Sequence, residues 1–98
     1  MAALPFILPE ALEDLAEICA WYQRKLHDLE LRFQADFDRS LAQILLDPTI
    51  HAADEVGLRR ISMGTFPYHI GYLIERDLVV IVGVIHTSRH PGVWKARV

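Results

Sequence analysis

Two amphipathic helices roofing an antiparallel sheet, in the order β-α-α-β-β-β, is the α+β, two-layer architecture that this sequence predicts. Three observations predict it. From Gly57 onward the chain reads strand, turn, strand, turn, strand: Leu58–Met63, then Tyr68–Ile74, then Leu78–His86. β-Branched and aromatic residues fill these runs, and Gly64-Thr65-Phe66-Pro67 and Glu75-Arg76-Asp77 separate them. Connections that short make the strands antiparallel neighbours. Upstream, between Pro9 and Leu45, apolar residues recur at steps of three and four, the period of a helix with one buried stripe. Finally, Leu78–Ile85 is apolar at both odd and even positions, so that strand lies inside the sheet with both faces covered.

Leu4-Pro5-Phe6-Ile7-Leu8 reads as a short strand, and Pro5, which has no donor, suits an edge position or the strand's start. Pro9 fits the first turn of a helix, where Glu10, Glu13 and Asp14 meet the positive end of the helix dipole. Leu8 gives that helix no side-chain cap. Its stripe is Leu12, Leu15, Cys19, Tyr22 and Leu26, broadened by Ile18 and Trp21. His27-Asp28 interrupts the pattern, with Asp28 placed to cap a second helix. That helix carries Leu29, Phe33, Phe37, Leu41, Ile44 and Leu45 on one side and ends at Pro48. A short connection makes the pair an antiparallel hairpin. Asp47–Gly57 is a polar loop. The tail after His86 has Pro91-Gly92 in its middle and no periodicity.

At 98 residues the chain predicts one domain, residues 1–98, with a small core. Apolar residues at 52% argue against disorder and for an apolar surface that needs a partner. No apolar run is long enough to span a bilayer, and no signal peptide opens the chain. A lone Cys19 forms no internal disulfide, which makes the reducing cytoplasm the expected compartment. Net charge is −3, unevenly divided. Residues 1–50 hold four basic and nine acidic side chains, whereas residues 51–98 hold six basic and four acidic ones and four of the five histidines. A pI near 5.9 is not that of a dedicated nucleic-acid binder.

Arg59, Arg60, Arg89 and Arg97, with His86 and His90, are basic groups that would grip phosphate or carboxylate if they converged at one end of the sheet. Taken singly, each reads as a solvated or paired rim charge. Arg59, next to a core strand position and after a loop, should have a fixed partner. A ribonuclease needs a base, an acid and cations around a phosphate. His86 would serve as base or acid, with Arg59, Arg60 and Arg89 as grips. No lysine lies in the strands, which leaves that constellation thin and the chain leaning away from catalysis. His86 and His90 have a metal-like spacing but cross a strand end with no third ligand, so no metal or cofactor is expected. Gly71 and Gly83 leave gaps for a bulky neighbour, expected to be a helix side chain. Trp94, in the tail, is either packed or free to stack on a partner.

The ordered set of a helix opening Pro9-Glu10-Ala11-Leu12-Glu13-Asp14-Leu15 with Trp21-Tyr22, then Leu58-Arg59-Arg60, Phe66-Pro67-Tyr68 and His86-Thr87-Ser88-Arg89-His90-Pro91 with Trp94, resembles the RelE/ParE toxin superfamily over nearly the whole chain. The resemblance implies a toxin of a bacterial type II toxin–antitoxin pair. RelE-like members cleave mRNA on the ribosome with basic strand residues. Here those positions carry Arg60, Ser62 and Gly64, and the C-terminal aromatic is Trp94, which transfers no proton. ParE-like members poison DNA gyrase, and the acidic pI and the His-x-x-Arg-x-Pro ending suit that branch. The expected partners are a cognate antitoxin, whose amphipathic segment lies along the hairpin and sheet, and gyrase, with the ribosome and mRNA only under the RelE-like alternative. No membrane is involved. The residues expected to meet the target are Arg59, Arg60, Tyr68, Arg89, Trp94 and Arg97.

Overall fold

The computed structural model describes residues 4–98, apart from the side chains of His27 and Pro91. Strand β1 (Leu4–Ile7) leads into helices α1 (Pro9–Lys25) and α2 (His27–Leu46). Strands β2 (Arg59–Ser62), β3 (Tyr68–Glu75) and β4 (Leu78–His86) follow, and a 3-10 segment, η1 (Pro91–Arg97), closes the chain. The β-α-α-β-β-β order is the expected one, and η1 is a regular element where the sequence showed no period.

The sheet has the order β1-β4-β3-β2. It is mixed rather than antiparallel, because β1 runs parallel to β4. The reason lies in the connectivity: β1 reaches β4 only through the hairpin and two intervening strands, and a crossover of that length permits a parallel neighbour. β4 is central, flanked by β1 and β3, as its two-sided apolar pattern required. Pro5 sits on the edge strand. Leu4 N–H donates to Asp77 O and Leu8 N–H to Ile81 O, so alternate residues turn inward and the missing N–H of Pro5 faces outward.

One face of the sheet meets the hairpin. Ile70, Tyr72, Val79 and Ile81 pack there against Ala11, Phe33, Phe37 and Ile44, all buried. On α1 the inward stripe is Ala11, Leu15, Ile18, Cys19 and Tyr22, while Leu12 and Leu26 are more than half exposed. The three-four spacing therefore placed the correct side of the helix but its edge one residue off, since Ala11 rather than Leu12 meets the sheet. Leu26 is the single residue between the helices and caps both without a side-chain bond, and Asp28 lies inside the first turn of α2 rather than at its cap.

The other face is covered by η1. Trp94, 1% exposed, packs with Leu58, Val82 and Ile85. Gly71 and Gly83 stand opposite each other on β3 and β4. A Cβ added to Gly71 would lie 2.6 Å from the Trp94 ring, and one added to Gly83 closer still to its indole nitrogen. The gap left by the two glycines is thus filled by the tail and not by the helical hairpin. Burial of Trp94 also removes its ring from any partner.

Candidate functional site

The strand register decides which basic residues meet. Arg59 stands opposite Tyr72, Arg60 opposite Gly71, Ser62 opposite His69, and His86 opposite Tyr68. Tyr68 and Tyr72 are four residues apart on β3, so His86 and Arg59 are separated by roughly 13 Å along the sheet. Arg60 points to the face opposite Arg59, because successive strand residues alternate. Arg89 lies past the end of β4, at the His86 end. The four groups of the ribonuclease constellation, Arg59, Arg60, His86 and Arg89, are therefore spread over two faces and two ends.

Several of them are already engaged within the domain. Arg59 donates from Nη1 to Thr49 O at 3.3 Å and to His51 O at 2.5 Å, the fixed partner its position called for. Beside it Tyr72 Oη donates to Pro48 O at 2.8 Å, so both side chains hold down the loop that follows α2. Arg97 pairs with Asp14 through two contacts, 2.7 and 3.2 Å, and its Nη1 also donates to Val82 O at 3.1 Å. Tyr68 is buried against Tyr22 and Phe33, and burial, with Tyr22 beside it, raises its phenol well above the ordinary range. Of the six residues expected to contact a target, Tyr68, Trp94 and Arg97 are thus built into the domain and Arg59 clamps its loop. Arg60 and Arg89 are the exposed ones.

The histidines are engaged locally. Nδ1 of His86 accepts from the Ser88 N–H at 3.1 Å and meets Ser88 Oγ at 2.8 Å. Nδ1 of His90 accepts from the Gly92 N–H at 3.0 Å, which caps the start of η1. Their shared spacing thus serves two consecutive turns. On the Trp94 face of β2 and β3, Ser62 Oγ lies 3.1 Å from His69 Nδ1. Burial, and then the Arg60 charge, push the His69 imidazole below its usual value. Ser62, His69 and Arg60 form a small polar group there.

Two carboxylates hold the framework in ways the sequence did not show. Asp36, 2% exposed, accepts from the Thr65 and Phe66 amides at 2.9 and 2.8 Å, locking the β2–β3 connection onto α2. A signal for it existed: Phe33, Asp36, Phe37 and Ser40 share the buried side of α2, and a carboxylate in an apolar stripe must be hydrogen bonded. Asp14, in addition to pairing with Arg97, accepts from the Val84 N–H at 3.0 Å. Nothing local in the sequence marks that contact, which spans 70 residues.

An open groove of about 650 Å³ runs between α1 and the end of β4. Glu17, Ile18, Trp21 and Arg24 line one side, and Val84, His86 and Arg89 the other. Trp21 is 47% exposed, its ring flanked by Tyr22 edge-on at 5.1 Å and by Lys25 Nζ at 5.0 Å. The groove's walls mix aromatic, aliphatic and charged side chains.

A two-layer α+β domain with a hairpin on one face of a four-stranded mixed sheet is the RelE/ParE-like toxin fold, and comparison with known proteins agrees. The family model described as ParE toxin of type II toxin-antitoxin system, parDE, matches residues 6–91, and the chain belongs to that family. It is accordingly a type II toxin component. Among solved structures, the chromosomal ParDE toxin–antitoxin system from P. aeruginosa aligns with a TM-score of 0.75 at 18% identity, covering 88% of this chain and 96% of that one. A free-state arginine double mutant of the E. coli toxin RelE aligns with a TM-score of 0.64 at 16% identity, covering 99% and 94%. At these identities the two structures speak for the fold alone. No curated protein matches the sequence. Among the described residues no helix is long and apolar enough to cross a membrane.

Proposed function

We propose that the chain is a ParE-like toxin that acts in the bacterial cytoplasm by binding DNA gyrase, without breaking a bond itself, and that a cognate antitoxin neutralises it. The observation that carries this reading is the dispersal of Arg59, Arg60, His86 and Arg89. A ribonuclease needs those groups around one phosphate. Here one clamps a loop, one faces the opposite side of the sheet, and two lie at the far end. A binding toxin needs exposed, shaped surface instead, and Phe6, Leu12, Trp21 and Leu31 each stay about half exposed. Of the six expected contact residues, Arg60 and Arg89 are the ones left exposed to meet a target.

Supercoiling by purified gyrase tests the reading. The toxin in molar excess should inhibit the reaction, and added antitoxin should restore it; unchanged supercoiling at excess toxin overturns it. Codon-linked mRNA cuts in a translating extract, lost on Arg89→Ala, would favour the ribosome-dependent alternative. Normal growth on induction of the chain alone would leave it a non-toxic binding module.

A further inference from the structure

β1 accompanies β4 only as far as Ile81, yet β4 runs on to His86. From Val82 to His86 the central strand has a neighbour on the β3 side alone. A bulge lies at this transition: Gly71 pairs with Gly83 and Tyr72 with Ile81, leaving Val82 as an extra residue. The chain partly repairs the vacant edge with side chains. Arg97 donates to Val82 O and Asp14 accepts from Val84 N–H, so the ion pair imitates the next stretch of a missing strand. The repair ends there. Val84 C=O and His86 N–H continue along the same side, since Thr87 N–H, the next amide, turns the other way to Pro67 O. Neither has a hydrogen-bond partner among the described residues.

A single residue of an extended chain, laid parallel to β4 as β1 is, satisfies both: its N–H donates to Val84 O and its C=O accepts from His86 N–H. These two groups open into the α1–β4 groove. Ile18 and the exposed Trp21 form an apolar wall, and Arg24 and Arg89 stand on the rim. Neither arginine belongs to an ion pair among the described residues. Of the groove's acids, Asp14 is neutralised by Arg97, and Glu17 is the one left.

We infer that this groove is a strand-addition site for an extended segment of the antitoxin. That segment has an apolar side chain for Trp21 and Ile18 and acidic side chains for Arg24 and Arg89. The inference rests on the toxin–antitoxin reading above and adds to it the place and the chemistry of the contact.

The test uses the full toxin and its cognate antitoxin. Trp94 is buried, so a change in tryptophan emission on binding reports Trp21; a blue shift is expected, absent in Trp21→Phe. Amide exchange at His86 should slow in the complex. Arg24→Glu and Arg89→Glu should each weaken binding by about tenfold or more, because the reversal sets a like charge against the segment's acidic side chains. Lys95→Glu, away from the groove, should leave the affinity unchanged. Tight binding with no emission shift, no His86 protection and no loss in the groove variants overturns the site while leaving the toxin–antitoxin reading intact. No binding by the wild-type chain overturns both. Groove variants that keep antitoxin affinity but lose gyrase inhibition assign the groove to the target, and that also overturns the inference.

Discussion

Trp94 is the side chain whose removal should cost most. It is fully buried on the sheet face away from the helices, over two glycines whose missing Cβ atoms make its seat. Trp94→Ala should destabilise the domain by about 3–5 kcal/mol, read as a fall in the urea midpoint. Gly71→Ala reaches the same contact from below. It forces a methyl against the indole and should cost about 1–3 kcal/mol, less when combined with a smaller residue at 94. Asp36 is the polar counterpart. Asp36→Ala strands the Thr65 and Phe66 amides and should cost about 2–3 kcal/mol, with Asp36→Asn recovering part through its remaining carbonyl oxygen. Of these residues, Gly71, Gly83 and Trp94 were visible in the sequence as gaps and as a large aromatic. Their pairing was not, because it joins a strand to a tail through a contact that no periodicity encodes.

The decisive element is β4. Its two-sided apolar run places it at the centre of the sheet, and the register shows that its last five residues outrun β1. The Asp14–Arg97 pair occupies part of the edge so exposed, with both side chains 19% exposed. Removing one member leaves the other charge and a backbone group of β4 unpaired. Asp14→Ala or Arg97→Ala should each cost about 2–4 kcal/mol. The double variant should cost less than the sum, and a double-mutant cycle on thermal unfolding measures that coupling. Both helices were legible from their stripes, and β2 to β4 from their punctuation. The direction of β1 was not, since a four-residue strand carries no signal for which neighbour it will join or which way it will run.

At the scale of the whole molecule, His69 contributes a pH dependence to stability. Its imidazole is held below the usual value by burial and by Arg60, so the unfolded chain binds its proton more readily than the folded one. Stability from this group is fully present above the unfolded value near 6.5 and declines as pH falls through that value towards the lowered folded one. Chemical denaturation at pH 7.5 and pH 5.5 should show the loss, and His69→Gln should flatten it. The toxin as a unit presents an acidic helical layer and a mildly basic sheet, with half-exposed Phe6 on β1, Leu12 and Trp21 on α1, and Leu31 on α2.

The sequence by itself determined the element order, the central place of β4 and the family, because these depend on residue type, spacing and ordered motifs. Only the tertiary structure decided that the basic residues stand apart, that Trp94 and Arg97 belong to the interior, and that β4 keeps a vacant edge beside Trp21. Register, strand direction and the reach of a long side chain across the fold settle such matters, and they are properties of packed elements rather than of any stretch of chain.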